Sequence, residues 1–477
     1  MSDDRRTPGD PRPQQRDSRR DSRQKGPRGR RLAVGAAPRK VAYDVIRAVT
    51  GRDAYANLVL PDRIRAEGLD QRDAALATEL TYGTLRATGL LDRVIDVVSS
   101  RPVDELDDDV LDAVRLGAYQ LLRTRIAPHA AVSATVGATY GVLSQGQAGF
   151  VNALLRKIGF RDEAEWIARV APSRADDPIG HLAVAHSHPR WIAAAFNDAL
   201  RGDLDELDAA LAADDERPVV HLAARPGRVS REQLADVAHG VAGRYSPYAV
   251  YLHSGDPGDI PQVRSGSAAV QDEGSQLAAI ALATASLQGR DEYWVDLCAG
   301  PGGKAGLLAA IAGERGARLL ANEVAPHRAR LVERTLRGLP AQTVIGDGRH
   351  APLADSSVDR VLVDAPCSGL GALRRRPESR WRRQASDLPA LTSLQRDLLA
   401  SALRIVRPGG VVGYVTCSPH IAETRAVLRS VLDDESQLVD VRPLLPGVPD
   451  LGDGPWVQLW PHRHGTDAMF ISLIRKP

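Results

Sequence analysis

The chain of 477 residues is longer than one hydrophobic core usually supports, so two to four domains are expected. A hydrophobic fraction of 43% is ordinary for globular material, and a formal charge of +2 makes positive charge local rather than global. Three cysteines without C-x-x-C spacing exclude a disulfide framework and a zinc ribbon, and no run of about 18 apolar residues could span a membrane.

The positive charge gathers in residues 1–34, with Arg19, Arg20, Arg28, Arg30 and Arg31 among almost no apolar residues. Such a tail cannot repay its ordering entropy and is expected to be disordered, suited to phosphate backbones or simply to solubility. Leu32 to Ala37 is too short for the apolar part of a signal peptide and runs into Arg39 and Lys40, so a cytoplasmic protein is expected.

Residues 35–172 carry helical periodicity: Val41, Val45 and Val49 mark one face, followed by Leu76, Leu80, Leu90, Leu91, Val94 and Ile95, then Val110, Leu111, Val114, Leu121 and Leu122. An all-α domain follows from this pattern. Around Val151, Leu154, Leu155 and Ile158 another amphipathic helix is expected, with Arg156 and Lys157 on its wet face. Residues 173–264 are expected to form a linker and a small α/β module, opening with Pro172 to Asp177 and helices around Trp191, Ile192 and Phe196 and around Leu204, Leu207 and Leu211. The period then changes: Val219 to Ala223 and Ala249 to His253 read as strands, and Ser230 to Val241 as a helix capped by Ser230.

In residues 265–477 the pattern becomes helix, then repeated strand and helix. Strands are expected at Tyr293 to Leu297, Leu319 to Glu323, Thr343 to Ile345, Val361 to Asp364 and Val411 to Thr416. Helices between them contain Leu307 and Leu308, Leu331 and Val332, and Leu398 to Ile405. This alternation predicts a Rossmann-like α/β domain with a mostly parallel sheet. Val457 to Trp460 and Met469 to Ile474 suggest an antiparallel pair at one edge.

Open α/β sheets bind ligands at the carboxyl ends of their strands. The first strand exits through Asp296-Leu-Cys298-Ala299-Gly300-Pro301-Gly302-Gly303-Lys304, whose glycines allow a tight turn and close ligand approach. Ala305 stands where a Walker loop would place Ser or Thr, so nucleotide triphosphates are disfavoured. Glu323, ending the second strand, suits the hydroxyls of a ribose, and Asp347, in Gly-Asp-Gly after the third, suits an adenine amino group. Together they describe an adenosine site, which NAD or S-adenosylmethionine would fit.

The next two strand ends choose between these cofactors. They read Asp364-Ala-Pro-Cys367-Ser-Gly and Thr416-Cys417-Ser-Pro419, which puts two of the three cysteines at one crevice. Carbon 5 of a pyrimidine becomes nucleophilic only after a thiolate adds to carbon 6, with an acid near the ring nitrogen and a base for the carbon 5 proton. Cys417, Asp364 and Cys367 are candidates, with the roles of the two cysteines left open by their positions. An NAD-dependent oxidoreductase would need a G-x-G-x-x-G turn that this chain does not have here. A catalytically silent RNA-binding factor would not need the cysteines, glycines and acids.

These strings resemble the Sun (RsmB) family of RNA 5-methylcytosine methyltransferases. The resemblance implies a seven-stranded methyltransferase domain with S-adenosylmethionine along residues 298–304, Glu323 on its ribose, Asp347 near its adenine, and Asp364 between cofactor and base. It makes Cys417 the nucleophile and Cys367 the residue assisting product release. Tyr55-Ala-Asn-Leu and Glu79-Leu-Thr-Tyr-Gly-Thr-Leu in the helical domain are similar to the NusB-like RNA-binding domain of the branch acting on small-subunit (16S) ribosomal RNA, transfer RNA being the alternative substrate. Gln271-Asp-Glu-Gly-Ser-Gln276 and Pro461-His-Arg-His-Gly-Thr-Asp467 belong to the same likeness. The chain departs from the family in having Ala468-Met-Phe470 for Gly-Phe-Phe and Arg376-Pro-Glu378 for His-Pro-Asp.

Arg374, Arg375, Arg376, Arg380, Arg382 and Arg383 with Trp381 follow the Pro-Cys loop and suit phosphate contacts and base stacking. The target cytosine must be unstacked or flipped. His181, His186 and His188 lack metal-ligand spacing, and no metal is expected. A monomer with RNA as partner completes the expectation.

Overall fold

A computed structural model describes residues 36–433 and 436–477. The expected disordered tail, 1–34, lies outside the described residues. Among them no helix is long and apolar enough to cross a membrane.

The first unit is all-helical, as its periodicity predicts: α1 (Ala36–Arg52), α2 (Ala56–Ala66), α3 (Gln71–Val98), α4 (Asp108–Arg123), α5 (Pro128–Ala138), α6 (Gln145–Ile158) and α7 (Glu163–Val170). Side-chain caps fix several starts: Asp70 accepts from the Asp73 amide, and Ser144 with Gln147 and Asp162 with Glu165 close capping boxes. The long α3 is the axis. Its Leu80, Leu90, Leu91, Val94 and Ile95 share one core with Val41, Val45 and Val49 of α1, Val114 of α4 and Leu154 and Leu155 of α6.

Helices α8 (Pro178–Ala185), α9 (Arg190–Ala199) and α10 (Leu204–Asp215) follow. Their Leu182, Ile192, Phe196, Leu207 and Leu211 pack with Leu370, Leu373, Trp460 and Ala468 of the last unit. A four-stranded antiparallel sheet comes next, ordered β2-β3-β1-β4 from β1 (Val220–Ala224), β2 (Val241–Ala242), β3 (Ala249–Leu252) and β4 (Ala268–Val270). Its helices are α11 (Arg231–Ala238) and α12 (Pro261–Ser265). Ser230 caps α11, but His239 turns left-handed, so the helix stops short of Val241, which becomes strand. A second difference is β4, which pairs with β1 and so extends the small sheet beyond residue 264.

The last unit contains α13 (Glu273–Thr284), β5 (Tyr293–Asp296), α14 (Gly303–Glu314), β6 (Arg318–Glu323), α15 (Pro326–Leu336), β7 (Ala341–Ile345), β8 (Val358–Asp364), α16 (Ser379–Arg382), α17 (Leu388–Ile405), β9 (Val406–Thr416), α18 (Arg425–Val431), β10 (Gln437–Val439), β11 (Val457–Gln458), α19 (Pro461–His464) and β12 (Phe470–Arg475). The main sheet runs β10-β12-β9-β8-β5-β6-β7, parallel from β7 to β9, with β12 antiparallel to β9. Helices cover both faces of near-continuous apolar strands such as Val361 to Val363 and Val411 and Val412. The late antiparallel pair forms as expected, Val457 opposite Ile471, but β12 is internal; β10 and β11 lie in succession along its outer side. At three residues, β10 is too short to show a period.

Candidate active site

The parallel strands end on one side, and the glycine loop, Glu323, Asp347, Asp364, Cys367 and Cys417 follow or close those strands. Strand β5 delivers Asp296, whose Oδ1 accepts from the Cys298 amide at 3.2 Å. Behind it Ala299 is buried, Pro301 is exposed, and Lys304 sits in the first turn of α14. At Gly302, φ is +114°, and a Cβ would stand 2.9 Å from the Thr335 side chain, so only glycine fits without strain. The Gly300 amide donates to Glu323 Oε2 at 3.0 Å, and a Cβ on Gly300 would collide with that carboxylate. Glu323 Oε1 accepts from the Ala325 amide at 2.9 Å, which fixes the carboxylate against the glycine loop.

The buried Asp296 Oδ2 has no hydrogen-bond partner. Burial, helped by the nearby Asp364 charge, pushes the Asp296 acid up to about 8. A buried carboxyl with an unpaired oxygen beside a glycine cradle fits a ligand carrying an ammonium group, whose charge would draw the acid back to its ionised form. Asp347 lies in the turn after β7, where Arg349, two positions on, holds its carboxylate at 2.6 Å and, with the Arg349 amide, keeps it below the usual acid range.

Ends of β8 and β9 lie side by side, Asp364 opposite Val415, so their loops bring Cys367 and Cys417 together with sulfurs 3.3 Å apart. Cys367 is pushed well above the ordinary thiol value by its hydrogen bond to Cys417 and by burial; the same bond lowers Cys417 against its own burial. One proton shared between two sulfurs leaves the partner as the better nucleophile, and here that is Cys417. Burial would lower Lys304, but Asp364 at 2.9 Å outweighs it and keeps the ammonium charged. That ammonium also favours charge on Cys417. Cys298, by contrast, is driven well above the ordinary thiol value by burial and by Asp296. The cluster is a polarised thiol pair beside an ion pair, at the mouth of a glycine loop.

The arginine run does not form the exposed phosphate surface expected of it. Arg380 is 0% exposed and donates to Asp215 at 2.8 Å and to backbone carbonyls of Arg86, His186, Ser187 and Asp214. Arg374 and Arg375 both reach Asp272 and Asp467, and Arg382 donates to the Val49 and Ala54 carbonyls. Among these residues Trp381, Arg376 and Arg383 face solvent. A charge run shows no direction in sequence; here buried carboxylates and carbonyls from other units draw four of the six arginines inward. The histidines are separately placed: His181 bonds the Pro172 carbonyl, His186 pairs with Asp208, and His188 is buried near Asp214. Among the described residues no group of three or more His, Cys, Asp or Glu is arranged to hold a metal.

Sequence reading missed Glu423, which is buried between the two cysteine loops and accepts from residues of both. Its only sequence signal is an acid shortly after Thr-Cys-Ser-Pro.

The model of the 16S rRNA methyltransferase RsmB/F family matches residues 283–475, and that of the NusB family matches residues 36–159. A Mycobacterium tuberculosis protein with a provisional methyltransferase name, Rv1407, is 56% identical over 456 residues, covering 95% of this chain and 99% of the relative. Ribosomal RNA small subunit methyltransferase B of Escherichia coli is 30% identical over 449 residues, 92% of this chain and 98% of the relative. The crystal structure of PH0851 superposes with a TM-score of 0.76 at 23% identity, covering 92% of this chain and 99% of that one, a likeness of fold.

Proposed function

The chain belongs to the RsmB/F family of methyltransferases and is an S-adenosylmethionine-dependent RNA methyltransferase; from that premise we propose that it methylates carbon 5 of a cytosine in small-subunit ribosomal RNA through a covalent Cys417 adduct. One observation carries the chemistry: two sulfurs 3.3 Å apart beside the Lys304–Asp364 pair, where the bond from Cys367 and the Lys304 charge favour a thiolate on Cys417. Bound S-adenosylmethionine supplies an electrophilic methyl group. The residues 298–304 would hold it, with Glu323 facing its ribose and the unpartnered Asp296 oxygen available to its amino group.

Cys417 adds to carbon 6, and the electron pair released from the ring double bond makes carbon 5 nucleophilic. Asp364, close to both Lys304 and Cys417, orients the base and stabilises the adduct through its ring nitrogen side. Once carbon 5 carries the methyl group, its proton must leave as the carbon–sulfur bond breaks. Cys367 stands against Cys417 and is placed to give its proton to the departing Cys417 sulfur and to take the carbon 5 proton in its place, so that both end as thiols. The NusB-family unit supplies RNA binding, and the target cytosine enters unstacked, since a duplex hides carbon 6.

The test is transfer of labelled methyl to unmodified small-subunit ribosomal RNA, with the product base located. The intact protein should yield 5-methylcytosine, Cys417→Ala should yield none, and Cys367→Ala should accumulate a protein–RNA adduct. Transfer only to transfer RNA would change the substrate, and full activity in Cys417→Ala would overturn the mechanism.

A further inference from the structure

The covalent reading requires that one of two touching sulfurs act as nucleophile and the other not. Nothing in their immediate loops distinguishes them: each cysteine precedes a serine at a strand end. Lys304 favours charge on Cys417 from the glycine-loop side, and a second influence comes from behind. Glu423, in the turn before α18, is 0% exposed and places its carboxylate between the loops. Its Oε1 accepts from the Ser368 amide at 2.7 Å and from Gln395 Nε2 at 3.1 Å. Its Oε2 accepts from the Ser418 hydroxyl at 2.7 Å and from the Ser368 hydroxyl. Four donors converge on an acceptor-only group, three of them from residues adjoining the two cysteines. Gln395 also donates to the Pro366 carbonyl at 2.9 Å, and Tyr414 to the Glu423 carbonyl at 2.7 Å, so α17 and β9 brace the same knot.

We infer that Glu423 is a positioning residue that ties the Cys367 and Cys417 loops together and so holds the two sulfurs in the contact on which the order of their reactivity depends. The inference rests on the covalent mechanism proposed above. Other charged groups around the pair are Lys304 at the start of α14, Asp364 at the end of β8 and Asp467 before β12, all of which act on Cys417; Tyr414 of β9 and His420 of the following turn lie near Glu423. The Glu423 charge disfavours a thiolate on Cys367, which leaves the shared proton on the Cys367 side and the charge to Cys417. Without that charge the proton is shared more evenly, and the attacking thiolate is less populated.

Iodoacetamide alkylation of the full-length protein across a pH series, with the modified cysteine located by mass spectrometry, reads this order without RNA. Cys417 should react ahead of Cys367. In Glu423→Gln that lead should shrink about tenfold, with kcat for methyl transfer falling by about the same factor while the cofactor KM stays within about twofold. Glu423→Asp keeps the charge and should restore part of the lead, and it serves alone if Glu423→Gln does not fold: kcat then falls while Cys417 still reacts first. An unchanged lead in Glu423→Gln, or a lead lost in Glu423→Asp, overturns the inference, whatever happens to the melting temperature. Failure of the covalent mechanism would show separately, as methyl transfer retained by Cys417→Ala.

Discussion

Replacing Arg380 with methionine should loosen the loop that carries Cys367. The guanidinium makes five hydrogen bonds of 2.8 to 3.3 Å in a site closed to solvent, joining the last unit to α3, to the turn after α8 and to the end of α10. Methionine fills similar volume but leaves four carbonyls without their donor and Asp215 with only Arg123, 3.4 Å away. Breaking a buried pair by removing one partner costs about 3–5 kcal/mol. Because the chain has several units, the cost should appear as local opening rather than a shift of one global transition. At about 3 kcal/mol, amides of residues 370–383 should exchange with deuterium roughly a hundredfold faster in Arg380→Met. Methyl transfer should fall with them while cofactor binding holds, since residues 298–304 make none of these contacts. Exchange within about threefold of the unaltered protein, with full activity, would refute the reasoning.

Asp214 gives a pH signature in the same region. Burial raises its acid from 3.8 to about 7 in the folded chain, so its contribution to stability is complete below the usual carboxylate range and is lost as pH rises toward 7. Asp214→Asn should therefore gain stability relative to the unaltered protein as pH rises, by up to about 1.4 kcal/mol per pH unit across that window, seen as a larger rise in melting temperature at neutral than at acid pH; a pH-independent effect in thermal melts would contradict the assignment. Gly302→Ala should weaken S-adenosylmethionine binding by at least about tenfold in calorimetry, because a positive φ and the Thr335 contact together force the start of α14 to move, at about 1–3 kcal/mol of strain. Unaltered affinity would mean that the loop adapts.

Period and turn chemistry made most of the architecture legible. The stripe of Val41, Val45 and Val49 lies in the core of the helical unit, and the strings ending at Asp296, Asp364 and Thr416 are strand ends on one side of a parallel sheet. Short elements were not legible: β2, β4 and β10 span two or three residues each, too few for an alternation to register. At the site, Cys367, Cys417, Asp364 and Lys304 were recognisable because each adjoins a strand end with small or turn-forming neighbours. Glu423 was not, because its importance depends on donors from Ser368, Gln395 and Ser418 that meet only in the folded chain.

The fate of the arginine run changes what the helical unit does. Arg374 and Arg375 grip Asp272 and Asp467; burial would raise the Asp272 acid, but the arginines and His221 prevail and hold its carboxyl well below the usual range. Farther along, Arg380 and Arg382 cross to α3, α10 and the turn after α1, and both Arg376 and Arg382 lie over the Tyr55 ring. The segment that begins at Cys367 is thus fixed at its far end by a different unit of the protein. Cutting the chain into an RNA-binding part and a catalytic part would strand a buried guanidinium and several carbonyls, at a cost of several kcal/mol. The helical unit is therefore part of the scaffold that shapes the thiol site: α3 and the Tyr55 turn anchor the loop that carries Cys367.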